Sequence, residues 1–219
     1  MIIDVFSDIA CPWCWIGERR LRAALDSLPT SAPVVRWRPF QLQPTLPRPS
    51  MAWAEFAKGK FGGLEAAQPM FDRLTRLGAE VGVPFRFDRM RVAPNTTDAH
   101  RLILLADEHG KGWPAAEALF HAHFTDGRDV ADREELRAIG AAIDLPPDEL
   151  SQLVTGTDFA DDVRDSQREA ARLGISGVPF YVLDGRLGVS GAQPPEVFLQ
   201  AIAQLTEQGT SGDPRVSAG

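Results

Sequence analysis

Two cysteines, Cys11 and Cys14, stand three positions apart in the run Ala10-Cys11-Pro12-Trp13-Cys14-Trp15. Thiols at that spacing can close a disulfide with each other and pass it to a partner by thiol-disulfide exchange. The run follows an apolar, β-branched stretch from Ile2 to Ser7 and opens a helical pattern from about Cys11 to Leu28, so the thiols fall where a strand hands over to a helix. Cys11 is therefore expected at an exposed helix amino terminus, where unpaired N–H groups and the positive end of the macrodipole favour its thiolate form. That makes it the attacking nucleophile. Cys14, one turn in and partly covered, is the resolving thiol that attacks the mixed disulfide and releases the reduced partner. Pro12 suits the first helical position and stiffens the turn. Trp13 and Trp15 flank Cys14, screening it from water and offering an apolar surface to a partner.

Other chemistries fit the pair less well. One Cys pair is half of a zinc site, but no second pair exists, and His100, His109, His121 and His123 lie far off on predicted helices. His121 and His123 are two apart and so point to different faces. No metal site is expected. A purely structural disulfide would close too short a loop to constrain the unfolded chain. Two inert buried thiols are the remaining alternative.

The elements that must position the thiols can be read from the rest of the chain. Its 219 residues are 44% hydrophobic and 24% charged, which suits one large domain, or one domain carrying an insertion. No segment approaches the roughly 18 apolar residues of a membrane span. A net charge of -7 argues against a surface that neutralises phosphates, so neither nucleic acid nor membrane is an expected partner. The start, Met1-Ile2-Ile3-Asp4, has no basic leader pattern and is read as a strand of a cytoplasmic protein.

Val34 to Phe40 reads as a second strand, completing a βαβ unit, and Pro44, Pro47 and Pro49 mark a boundary. From about residue 50 to 156 the pattern is of helices alone, as in Met70, Leu74, Leu77 and Val81. Asp132 and Glu135 have capping-box spacing within it. A helix over Asp158 to Leu173 follows, with Phe159, Val163, Ala170 and Leu173 inward and Gly174 closing it. Strands Val178 to Leu183 and Leu187 to Val189 are then joined by Asp184-Gly185, a two-residue hairpin signal, before a last helix from Pro194-Pro195. The layout predicts an α/β protein: residues 1–45 and 157–208 in one domain, 46–156 as a helical insertion with its own small core, and 209–219 as a disordered tail.

Three stretches, Asp8 to Gly17, Asn95 to Leu102 and Ile175 to Phe180, together with Ser190 to Pro194, resemble the DsbA-like thioredoxin superfamily. Within it they are most similar to the cytoplasmic FrnE-like branch, which also holds 2-hydroxychromene-2-carboxylate isomerases, over residues 1 to about 208. The resemblance implies a thioredoxin-like fold interrupted by an all-helical insertion domain. It implies a cis-proline loop at Val178-Pro179 facing the two thiols, so that these residues, with Pro12 and Trp13, bind substrate. It implies no bound cofactor, glutathione as a reductant or co-substrate, protein thiols and disulfides as partners, and a homodimer by analogy.

The related isomerases and kappa-class glutathione transferases typically carry Ser where this chain has Cys11, and lack the second Cys. Keeping both thiols favours disulfide exchange over glutathione-dependent isomerisation of a small aromatic substrate. By the same resemblance Asp4 is matched, one residue out of register, to a buried acid that exchanges a proton with the second cysteine. A solvated strand end is its alternative. Asn95 is read as a helix cap, and Trp37, Trp53 and Trp113 as core or cleft-wall residues. A third reading is a non-catalytic peptide-binding holdase that uses exposed Trp13 and Trp15.

Overall fold

A computed structural model describes residues 1–29 and 32–210. Strand β1 (Ile2–Ser7), helix α1 (Pro12–Asp26) and strand β2 (Val34–Pro39) form a βαβ unit, with the strands parallel in register from Ile2 opposite Val34 to Ser7 opposite Pro39. Six helices follow: α2 (Trp53–Phe61), α3 (Leu64–Glu80), α4 (Thr97–Glu108), α5 (Gly112–His121), α6 (Arg133–Ala142) and α7 (Pro147–Thr155). Then α8 (Ala160–Arg172) returns the chain to the sheet, where β5 (Phe180–Leu183) and β6 (Leu187–Ser190) precede α9 (Pro195–Thr210). The sheet order is β2-β1-β5-β6, and β5 runs antiparallel to β1 with Tyr181 opposite Val5.

The period of two along β1 sorts its side chains between two layers. Ile3 and Val5 belong to the main core with Cys14, Trp15 and Leu21 of α1 and Phe198 of α9. Phe6 points the other way, into a smaller cluster with Phe40, Ala170 of α8 and Ile175. The turn forms at Asp184-Gly185, both with positive φ, +48° and +66°, but pairing resumes with Leu183 opposite Leu187, so Arg186 joins them in a three-residue loop rather than the expected two-residue one. Asp132 Oδ1 accepts from the N–H groups of Glu134 and Glu135 at 2.9 and 3.0 Å, capping α6.

The helical block departs from expectation in two ways. Between α1 and α4 it contains a short antiparallel ladder, β3 (Met51–Ala52) against β4 (Val92–Ala93), too short to leave a pattern in the sequence. Nor does it keep a core of its own. Trp15 of α1, with no exposed surface, stacks at 6.0 Å on Phe120 and 6.4 Å on Phe124, with Phe85 edge-on at 5.5 Å, so one core runs from the sheet through α1 into the block. Two smaller expectations also shift. Phe159 takes φ +62° ahead of α8, and Leu173, past its end, is 55% exposed rather than inward. α9 extends to Thr210, two residues into the expected tail, and 211–219 lie outside the described residues. Among the described residues no helix is long and apolar enough to cross a membrane.

Candidate active site

Cys11 is the N-cap residue of α1, with extended backbone (φ -103°, ψ 109°), and Pro12 is the first helical residue. The turn leading to it is closed by the Cys11 N–H donating to the Asp8 carbonyl at 3.0 Å. Asp8 is buried and its carboxylate holds this turn in place. Oδ1 accepts from the Ala10 N–H at 3.2 Å, and Oδ2 from the Leu42 N–H at 2.7 Å. His100, from the Asn95-to-Leu102 stretch, donates from Nε2 to the Phe40 carbonyl at 3.0 Å and lies 3.4 Å from Asp8 Oδ1. The active turn is thereby tied to the chain leaving β2 and to α4. Asn95 Oδ1 accepts from the Thr97 N–H at 3.1 Å, serving the start of α4.

Both thiols are free and buried, Cys11 at 4% and Cys14 at 1% exposure. Cys11 is thus more enclosed than a bare helix end would be, because two walls rise over it. On one side the loop before β5 brings the Val178 carbonyl to accept from Cys11 Sγ at 3.6 Å, and the Val178–Pro179 bond is cis. On the other side lies a cavity of about 190 Å3, bounded by Cys11, Trp13, Trp53, Phe71 and Lys60. Trp13 is half-buried, with the Arg73 guanidinium 5.8 Å from its ring, while Trp15 is fully buried in the core and offers no surface. Burial pushes the Cys14 thiol well up, and the facing Cys11 sulfur adds to this.

Asp4 is not brought to the thiols. Its parity along β1 is that of Phe6, on the face away from α1, and its carboxylate receives both Nε and Nη2 of Arg36 on β2 at 2.9 and 2.8 Å. Besides Asp8, a second buried acid stands beside the site: Glu18, 1% exposed, which the residue pattern did not single out. Glu18 lies one turn beyond Cys14 on the stripe that continues through Leu21 and Leu25, all buried. A carboxylate on an otherwise apolar stripe was the available signal. Trp113 Nε1 of α5 donates to Glu18 Oε1, and burial raises the carboxyl to about 7. His123, in the π-helical turn Ala122–Asp126 after α5, also borders the cavity, and burial lowers it to about 4, so it is neutral at neutral pH. Trp37 and Trp113 meet edge to face at 6.0 Å, away from the cavity. Among the described residues no three His, Cys, Asp or Glu side chains are grouped as metal ligands.

Comparison with known proteins agrees with this architecture. The model of the DSBA-like thioredoxin domain matches residues 2–203. The Bacillus subtilis (strain 168) protein YwbO is 25% identical over 202 residues, 92% of this chain and 95% of its own. The crystal structure of a "probable DsbA oxidoreductase" from Streptomyces coelicolor superposes with a TM-score of 0.86 at 36% identity, over 100% of this chain and 94% of that one. A 2-hydroxychromene-2-carboxylate isomerase shares the fold, with a TM-score of 0.72 at 16% identity over 97% and 100% of the two chains. With a match that spans nearly its whole length, the chain belongs to the family of DsbA-like thioredoxin domains.

Proposed function

We propose that this protein is a thiol-disulfide oxidoreductase in which Cys11 attacks and Cys14 resolves. The observation that carries the reading is the placing of Cys11 Sγ at the amino terminus of a 15-residue helix, 3.6 Å from the strand-entry carbonyl of Val178. An N-terminal sulfur gains from the unpaired N–H groups of the first turn when it is a thiolate. A partner's extended segment beside Val178-Pro179 would present its own sulfur to Cys11, with Pro12 and Trp13 forming the opposite lip. Cys14, held as a thiol by its burial, then displaces the partner from the mixed disulfide. In a reducing cytoplasm, glutathione would be the abundant thiol that resets the pair.

The cavity beside Cys11 favours a second reading. Its aromatic walls and volume of about 190 Å3 suit a single small ring system, and Lys60 at its edge suits an anionic group. A glutathione-dependent isomerase or transferase would use Cys11 with such a substrate and would not need Cys14. The two readings separate on the Cys14→Ser variant. In redox buffers of reduced and oxidised glutathione, the exchange reading expects the natural protein to show one two-electron transition. It expects Cys14→Ser to stop as a stable mixed disulfide, detected by mass. If no intramolecular disulfide forms at any buffer ratio while glutathione still binds, the exchange reading is wrong and the isomerase reading takes its place.

A further inference from the structure

Disulfide exchange at Cys11 leaves the two arms of the substrate unspecified, and the cavity beside that thiol bears on them. It is bordered at one end by Ala10, Cys11 and Pro12, and α2 supplies much of the rest of its lining. Of the nine residues of α2 only Ala57 is buried. Trp53, Phe56 and Phe61 are half-buried and line the cavity, with Trp53 lying 5.5 Å from Phe56 and 6.4 Å from Phe61. Phe71 of α3 joins them, 6.1 Å from Trp53. Rings gathered around a space of about 190 Å3 leave apolar surface in contact with water, a cost that an apolar guest removes.

The charge around this space has one sign. Among the described residues no aspartate or glutamate borders it. Lys60 stands at its edge, and the Arg73 guanidinium lies 5.8 Å from the ring of Trp13, which also borders it. Among the described residues neither cation is held in an ion pair. His123, lowered to about 4 by burial, adds no charge at neutral pH. In a chain whose net charge is -7, two free cations and no acid at one mouth are suited to an anionic group on the guest.

The state of Cys14 narrows the choice further. Burial and the facing Cys11 sulfur hold it as a thiol, so little thiolate is at hand for the second step. Exchange then depends on how readily the other sulfur leaves, and a thiol of lower pKa leaves faster. A sulfur on an aromatic ring spreads its charge into the ring and leaves more readily than a cysteine thiolate of ordinary pKa about 8.5. A cysteine within an extended chain is also held by main-chain pairing at Val178, on the other side of Cys11, which leaves the cavity unfilled.

Resting on the exchange reading, we propose that the substrate is a low-molecular-weight disulfide with an aromatic arm that bears an acidic substituent, the ring entering the cavity and the acid facing Lys60 and Arg73. The Cys11 thiolate attacks the sulfur that carries the ring. The bond between the two substrate sulfurs breaks, and the outer sulfur leaves with the electron pair. Cys14 then gives its proton to solvent and attacks Cys11 Sγ, the bond from Cys11 to the aryl sulfur breaks, and the arene thiolate departs. The substrate is reduced to two thiols and the protein pair is oxidised to one disulfide. The two protons lost by Cys11 and Cys14 balance the two thiol products through solvent.

The test oxidises the reduced full chain with 5,5′-dithiobis(2-nitrobenzoate), aromatic and anionic; 2,2′-dithiodipyridine, aromatic and neutral; bis(2-hydroxyethyl) disulfide, aliphatic and neutral; and insulin, a protein disulfide. Each rate is divided by that of the same disulfide with a free thiol in solution, which removes intrinsic reactivity. The corrected rate for the anionic aromatic compound should saturate, exceed that of insulin, and stand at least about tenfold above the aliphatic one. Phe56→Ala should lower the ratio of aromatic to aliphatic rates about tenfold. Lys60→Gln, at an exposed position where folding is not at stake, should lower the ratio of anionic to neutral aromatic rates about threefold. Corrected rates within twofold for aromatic and aliphatic disulfides, insulin ahead of the aromatic compounds, or a Lys60→Gln ratio equal to the natural one overturns the proposal and leaves the exchange reading standing. Failure of every one of these disulfides to link Cys11 with Cys14, read by intact mass, overturns the exchange reading instead.

Discussion

In front of Cys11 the helical block presents rings to a cavity: Trp53 lies 5.5 Å from Phe56 and 6.1 Å from Phe71. Behind Cys14 the materials are polar and buried: Glu18 raised to about 7, and a phenol and a carboxylate oxygen without partners. Apolar walls hold a guest by area and shape and take no part in proton traffic. Buried ionisable groups hold no guest but change state at little distance from the sulfur. The two sides of this helical turn thus differ in material, apolar and ring-lined towards the cavity, polar and buried towards Glu18. α5 touches both, through His123 just beyond its end and through Trp113 on Glu18.

The comparison breaks most severely at the sulfurs themselves. Cys11→Ser should abolish disulfide exchange, whereas Cys14→Ser should leave the first attack and stop at the mixed disulfide, which intact-protein mass spectrometry would register as one added partner per chain. If Cys11→Ser kept measurable exchange, Cys11 would not be the attacking thiol. Next in size is the join between the sides. Trp15 packs against Phe85, Phe120 and Phe124, and Trp15→Ala should destabilise the protein by about 3–5 kcal/mol in urea unfolding. One cooperative transition is expected, because the core is continuous from sheet to block. Two separable transitions would show that the block holds itself together after all.

The third prediction sets the two sides against each other through pH. Glu18 is raised above its ordinary value of 4.5, so the folded state binds the proton more tightly, and its contribution to stability is lost as pH rises from about 4.5 to about 7. His123 is lowered from 6.5 to about 4, so the unfolded state binds the proton more tightly, and stability is lost as pH falls from about 6.5 to about 4. Each shift is worth on the order of 3 kcal/mol, with opposite sign over the shared window. The natural protein should therefore be nearly level there as far as these two groups decide it. Glu18→Gln should uncover the His123 slope, losing on the order of 3 kcal/mol on acidification relative to the natural protein. A difference between the two proteins that did not change with pH would mean that Glu18 is not held protonated by its site.

Sequence reading reached the frame of the site more readily than its interior. The βαβ unit, the Asp184-Gly185 turn and the helix opening at Pro12 follow from local propensity and turn chemistry, which act within a few residues and leave their mark there. The exposure of Cys11 and Trp15 could not be read this way, because the walls that bury them come from Val178, and from Phe85 and Phe120 far along the chain. The two-residue β3–β4 ladder carries no periodicity at all. Glu18 was legible in principle as the one acid on the stripe of Cys14, Leu21 and Leu25. Attention to the strand, through Asp4, led instead to the wrong face of the sheet, since a register displaced by one residue exchanges the two faces.

That exchange of faces gives the smallest expected effect. Asp4→Asn removes the charge that pairs with Arg36 across β1 and β2, where the arginine is 49% and the aspartate 16% exposed. A pair so open to solvent contributes about 0–1 kcal/mol, and Asn keeps a hydrogen-bond acceptor for the guanidinium. Thermal or urea unfolding should therefore move by no more than this amount. Because Asp4 lies on the face of β1 away from α1, release of the partner from the mixed disulfide should keep its natural rate. Placed beside Glu18→Gln, this variant compares one carboxylate on each face of the same strand-and-helix unit under the same assay. If Asp4→Asn changed stability with pH as much as Glu18→Gln did, the open face of the strand would perturb its carboxylate as strongly as the buried turn does, and the contrast between the two sides would have to be redrawn.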